Sequence, residues 1–230
     1  MRSAAAKSCC LASRSAIPVG TAPPRRIVAS APGRAVLDVG CGTGIAARQF
    51  QVADCTVLGV EPDERMAAVA RRRGLPVEIF TFEAWDPAGR RFDAVVSGTA
   101  WHWVDPVAGA TRAAEVLRQD GRLAVFWQTP ELPPQIGTAF ADAYAPLFRK
   151  AADGIRAVDG FGEPEEWRFD WEQRCTRDQL LDQLRTSGAV TRLPGGALAE
   201  ILEHVGAAVD ALGGRVAVRY ATVTVTATRR

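Results

Sequence analysis

Between Asp38 and Gly44 the chain reads "DVGCGTG", three glycines two residues apart with an acid just ahead of them. Glycine lets a ligand approach the backbone closely, and a helix starting behind such a loop offers unpaired N–H groups. A second acid, Glu61 in "LGVEPDERM", sits beside Pro62 at the end of another apolar run. A carboxylate there can accept hydrogen bonds from two adjacent hydroxyls at once. A third stretch, "FDAVVSGTAWHWVDP" from Phe92 to Pro106, carries His102. Histidine titrates near neutrality, so His102 is the candidate general base, or else it holds the loop with Trp101 and Trp103 as packing.

These residues need elements that bring them to one edge. Ala35 to Val39 reads as a strand ended by Gly40, and a helix can begin at Ile45. Cys55 to Val60 reads as a second strand, with Pro62 in the first turn of a helix whose Met66, Val69 and Ala70 share a face. Pro76 to Phe80 and Phe92 to Ser97 follow as strands. Asp105 and Pro106 read as the N-cap and first turn of a helix closed by Gly121, and Leu123 to Trp127 as a fifth strand. Strands separated by single helices imply a parallel sheet with helices on both faces. In such a sheet the carboxyl end of the first strand faces a ligand crevice.

Beyond Pro130 the texture changes. Residues 130–165 are proline-punctuated and too long for a simple connection, and read as a partly helical, substrate-side insertion. Its aromatics Phe140, Tyr144 and Phe148 read as packing of a lid helix or as the wall of an apolar pocket. Trp167 to Cys175 reads as a strand and Asp178 to Arg185 as a short helix. Leu198, Ile201, Leu202, Val205, Val209 and Leu212 share a face of a longer helix, and Arg215 to Thr226 alternates as a final strand.

The dinucleotide fingerprint is G-x-G-x-x-G, whereas Gly40, Gly42 and Gly44 are spaced G-x-G-x-G. With Asp38 ahead of it, "VLDVGCGTG" resembles the first motif of class I S-adenosylmethionine-dependent methyltransferases. The acid-ended second strand and the "SGTAWHW" loop resemble the type 11 subgroup, in which trans-aconitate-methyltransferase-like proteins carry a His-Trp pair here. The likeness runs from about Ala35 to the C-terminus, including "RTSGAVTRLP". It implies a Rossmann-like, doubly wound, seven-stranded α/β sheet, mostly parallel with an antiparallel last strand, and S-adenosyl-L-methionine as cofactor.

The resemblance also implies roles. Gly40, Gly42 and Gly44 pack against the methionine and ribose portions, Asp38 orders that loop and reaches toward the amino group, and Glu61 beside Pro62 takes the ribose. Phe82 and the Glu83 backbone in "TFEAW" flank adenine. Ser97 to Thr99 contact the methionine end. The implied reaction is direct in-line methyl transfer to a small-molecule acceptor, with a hydroxyl or carboxylate oxygen favoured. A cofactor-binding protein without turnover is the alternative. A nicotinamide-dependent oxidoreductase is disfavoured by the glycine spacing and by the absence of a Tyr-x-x-x-Lys pair.

The family's usual N-terminal helix is not recognisable in residues 1–34, which read as a poorly ordered or atypical extension ahead of a methyltransferase domain at 35–230. That extension holds six basic residues and no acid; with them set aside, 22 basic and 26 acidic residues remain. A mildly acidic body does not advertise a nucleic-acid surface. No apolar run reaches the length of a membrane span. Five cysteines without C-x-x-C spacing and only two histidines argue against a metal site and for a reducing, cytoplasmic setting.

Overall fold

The computed structural model describes residues 22–131, 134–186 and 197–230. A seven-stranded sheet runs through it, comprising β1 (Ala35–Val39), β2 (Thr56–Val60), β3 (Val77–Glu78), β4 (Phe92–Gly98), β5 (Leu117–Pro130), β6 (Glu165–Thr176) and β7 (Arg215–Thr228). Their order is β3-β2-β1-β4-β5-β7-β6. β1 pairs in parallel with both β2 and β4, so the strand order reverses there. β7 pairs antiparallel with β5 and β6. This is the antiparallel last strand that the sequence implies.

The helices are α1 (Ala22–Ala29), α2 (Ile45–Val52), α3 (Glu64–Arg72), α4 (Pro106–Val116), α5 (Pro134–Arg156), α6 (Arg177–Thr186) and α7 (Ala197–Ala211). Alternation along the strands sends successive side chains to opposite layers. Leu37, Val39 and Val95 pack with Ala110, Ala113, Ala151 and Ile155 of α4 and α5. Val36, Val57 and Val96 pack with Ile27, Ala47, Phe50, Ala67 and Ala70 of α1 to α3. The sheet is therefore covered on both faces, as a parallel sheet must be.

Several boundaries differ from the sequence reading. Pro62 lies outside α3, because Asp63 takes the N-cap position and its carboxylate accepts the Arg65 amide. Ala67 and Ala70 form the buried face there, while Met66 and Val69 are half-buried. β3 shortens to two residues, and Phe80 beyond it is exposed. β5 begins directly at the end of α4. Its register shifts between Phe92 and Ala94, where Asp120 takes a left-handed φ of 61° ahead of Gly121. Gly121, read as closing the helix, thus lies within the strand, beside this irregularity, and α4 stops at Val116.

The segment read as an insertion contains the 23-residue helix α5, with Pro146 inside it. Phe148 packs its ring 5.3 Å from Trp127, and Tyr144 packs on Phe148. α7 stops at Ala211, leaving Leu212 exposed and Val209 buried. Within the stretch read as an extension, α1 buries Ile27 completely and lays Arg26 4.0 Å over the Trp167 ring. Residues 1–21, Arg192, most of "RTSGAVTRLP" and the side chains of Phe140, Leu198 and Ile201 lie outside the described residues.

The N-cap of α4 matches its sequence signature, since the Asp105 carboxylate accepts the Val107 and Ala108 amides. Replacing Asp105 by alanine leaves those donors without that acceptor. The expected cost is about 1 kcal/mol, or a fall in Tm of about 2–4 °C, checked by thermal unfolding.

Candidate functional site

The strand order reverses between β1 and β4, and the residues singled out in the sequence gather at the carboxyl ends of those strands. The Gly40 and Cys41 amides both donate to the Val60 carbonyl, at 2.8 and 3.3 Å, tying the glycine loop to the end of β2. Glu61 is 4% exposed and bridges two loops. Its Oε2 accepts the Gly42 amide and its Oε1 the Asp63 amide, each at 2.9 Å. Each oxygen retains a second lone pair.

The three glycines serve different purposes. A Cβ on Gly40 would lie 2.5 Å from the Ala100 Cβ, so this glycine lets the β1 and β4 loops touch. Gly44 backs onto Ala70 and Leu75, which is packing between α2 and α3. At Gly42 the nearest atom to a Cβ is the Met66 Sδ at 3.9 Å, so the protein does not fill that direction. All three glycines hold a positive φ, so the open side is what sets Gly42 apart from the other two.

Asp38 sits beneath this loop with no exposure, and among the described residues neither carboxylate oxygen has a hydrogen-bond partner of good geometry. Burial pushes its pKa up to about 7, and nearby Glu61 pushes in the same direction. The Ala47 amide in the first turn of α2 favours the ionised form, but incompletely. The neighbouring Cys41 thiol is also pushed up by burial and by the two carboxylates.

On the β4 side, Ser97 is fully buried with an unpartnered hydroxyl. Thr99 holds a φ of 55°, uncommon for a β-branched residue, and donates its amide to the Phe126 carbonyl at 2.8 Å. Trp101 to Trp103 form one 3-10 turn in which Trp101 is buried while His102 and Trp103 face solvent.

Phe82 is not at the surface of this crevice. It is 3% exposed and packs against Trp85 and Trp101 in the core. The Glu83 carboxylate accepts the Asp105 amide at 3.0 Å, joining the loop after β3 to the start of α4. Sequence reasoning missed two placements. Phe80, two residues before Phe82, is 50% exposed. Met66, read as core, turns its sulfur toward the glycine loop. A strand of two residues carries too little alternation to show the first. The second could be found by counting back from Ala67 and Ala70. A separate depression lined by Arg25, Val28, Pro32, Arg34 and Ala53 lies at the opposite, amino end of β1.

Residues 36–121 match a family model described as a methyltransferase domain, which spans the glycine loop, Glu61 and the His102 turn. An uncharacterised methyltransferase of Mycobacterium tuberculosis is 29% identical over 179 residues, covering 75% of this chain and 72% of the relative. A ubiquinone biosynthesis O-methyltransferase of Cereibacter sphaeroides is 26% identical over 167 residues, covering 68% of this chain and 60% of the relative. Among solved structures, a putative type II methyltransferase from Anaeromyxobacter dehalogenans superimposes with a TM-score of 0.63 at 21% identity, covering 90% of this chain and 94% of that one. A geranyl diphosphate methyltransferase in complex with its S-adenosylmethionine gives 0.51 at 15% identity, covering 90% and 84%.

The fold is thus the Rossmann-like methyltransferase fold. The matched domain and the relatives together support a class I S-adenosylmethionine-dependent methyltransferase, with S-adenosylmethionine as the cofactor. The residues present fit that group. A cradle stands open at Gly42, Glu61 has spare lone pairs beside it, and a buried carboxylate without partners lies beneath. Among the described residues no helix is long and apolar enough to cross a membrane.

Asp38 gives a stability signature. A carboxyl with a folded pKa raised above its unfolded value contributes stability below the unfolded pKa and loses it as pH rises through the folded one. Here the window runs from about 3.8 to about 7. Urea unfolding of the cofactor-free protein is expected to show Asp38→Asn gaining on the parent chain across that window and levelling above it. A constant difference at every pH would contradict the buried, unpaired carboxyl.

Proposed function

We propose that this enzyme transfers a methyl group from S-adenosylmethionine to an oxygen of a small-molecule acceptor. The observation that carries the donor site is the Glu61 bridge, a buried carboxylate holding the glycine loop while keeping a lone pair free on each oxygen. That arrangement suits the two adjacent hydroxyls of a ribose, with Pro62 fixing the backbone next to it. Gly40, Gly42 and Gly44 shape the cradle. Asp38, carrying two unpartnered oxygens, supplies negative charge toward the ammonium end, and Ser97 to Thr99 border the methionine portion. With Phe82 buried, the loop after β3 would meet adenine through exposed Phe80 and the backbone at Glu83.

When bound, the sulfonium supplies an already activated methyl group. The chain is left with positioning an oxygen in line with the carbon–sulfur bond and keeping water away. His102, on the turn after β4, would take a proton from a hydroxyl acceptor; a carboxylate acceptor needs no such base. Oxygen as the accepting atom draws support from the ubiquinone biosynthesis O-methyltransferases of Cereibacter sphaeroides and Bordetella parapertussis, at 26 and 30% identity. α5, whose Phe148 packs on Trp127 with Tyr144 against Phe148, would wall the acceptor side.

Calorimetric titration with S-adenosylhomocysteine, with NADH and NADPH as controls, tests the donor site. Binding of the first alone is expected. Glu61→Ala should weaken it by about 1–3 kcal/mol, the scale of charge-assisted hydrogen bonds. Unchanged affinity would remove the ribose role. His102→Ala is expected to abolish turnover of hydroxyl acceptors while leaving S-adenosylhomocysteine affinity intact; full activity would make His102 structural.

A further inference from the structure

The tryptophans near the crevice divide sharply. Trp85, Trp101 and Trp127 are at most 3% exposed, whereas Trp103 is 76% exposed. A single exposed aromatic means little by itself. What distinguishes Trp103 is the framework beneath it. Its amide donates to the Ala100 carbonyl and the Val104 amide to the Trp101 carbonyl, both at 3.0 Å, closing the 3-10 turn. Trp101 anchors that turn in the core. Gly109 of α4 packs so tightly under it that a Cβ would lie 2.4 Å from Val104 Cγ1 and 3.1 Å from the Trp101 ring. Glu83 grips the far end through the Asp105 amide.

The backbone under Trp103 is therefore fixed from three sides, and it holds a large apolar ring in water. Val107, at the start of α4, is also exposed, at 45%. The His102 and Trp103 rings lie 4.9 Å apart. The turn follows directly on the carboxyl end of β4, past Thr99 with its left-handed backbone and Ala100 packed on Gly40. An apolar surface presented rigidly there, beside a candidate base, fits an acceptor whose flat face packs on the indole and whose hydroxyl lies toward the imidazole.

We infer that Trp103 is a specificity-determining residue for the methyl acceptor, and that the acceptor is a hydroxyaromatic compound whose ring packs on the Trp103 indole. This rests on the methyl-transfer reading above and deepens it. Trp103 acts on acceptor binding alone; His102 handles the proton.

The full chain is incubated with S-adenosylmethionine and either hydroxyaromatic acceptors (4-hydroxybenzoate, caffeate, 1-naphthol) or straight-chain carboxylic acids of matching carbon number, and S-adenosylhomocysteine release is followed. Methylation among the aromatic set is expected. Trp103→Ala should raise KM for the aromatic acceptor about tenfold, in line with loss of an aromatic stack and its buried area, with kcat and S-adenosylhomocysteine affinity unchanged. Trp103→Phe should recover most of that loss. The inference is overturned by an unaltered KM in Trp103→Ala, by methylation of the straight-chain acids alone, or by no methylation in either set while S-adenosylhomocysteine still binds. Failure of the parent chain to bind S-adenosylhomocysteine would overturn the donor-site reading, and this inference with it.

Discussion

A single buried carboxylate, Glu61, joins the two loops on which the site depends. Its two oxygens take amides from opposite sides, Gly42 of the loop after β1 and Asp63 at the cap of α3. Charge-assisted hydrogen bonds of this kind are stronger than neutral ones. They hold the glycine loop at the edge of β2, where the Val60 carbonyl also fixes Gly40 and Cys41. Without that acid the loop would keep its glycines but lose the group that sets their distance from β2.

Around this bridge the crevice holds groups that a purely stable fold would avoid. Asp38 is buried with no hydrogen-bond partner of good geometry among the described residues, and Thr99 carries a backbone angle that L side chains rarely adopt. Unsatisfied charge and local strain of this sort persist where the surrounding packing is strong enough to impose them. Here the packing comes from the β1–β4 contact at Gly40 and Ala100, and from α2, held close by Gly98, where a Cβ would meet Phe126 at 2.9 Å and Ala46 at 3.3 Å.

The rim of the crevice is built by a different rule. The loop after β3 drives Phe82 and Trp85 into the layer under α4, and Trp101 joins them there. Burying these three rings leaves Phe80, His102 and Trp103 outside. The exposed aromatics are thus placed by the buried ones, and Gly109 sets how closely α4 can approach the turn between them.

Much of this was readable from residue types and spacing alone. The alternation of apolar runs and helical patterns specified a parallel sheet with helices on both faces, and the Asp38, glycine and Glu61 constellation carried the resemblance that implied the cofactor, because a glycine loop and an acid at a strand end are local features. The cap at Asp105 was equally local. That Phe82 is buried and Phe80 exposed was not, since β3 is only two residues long and carries too little alternation to fix its register. Nor could spacing show that Gly42 alone of the three glycines opens outward, that Asp38 lacks partners, or that Trp101 and Trp103 part ways within one turn. Those outcomes depend on atoms far along the chain, namely Ala100, Met66, Ala70 and Gly109, and only the tertiary packing brings them near.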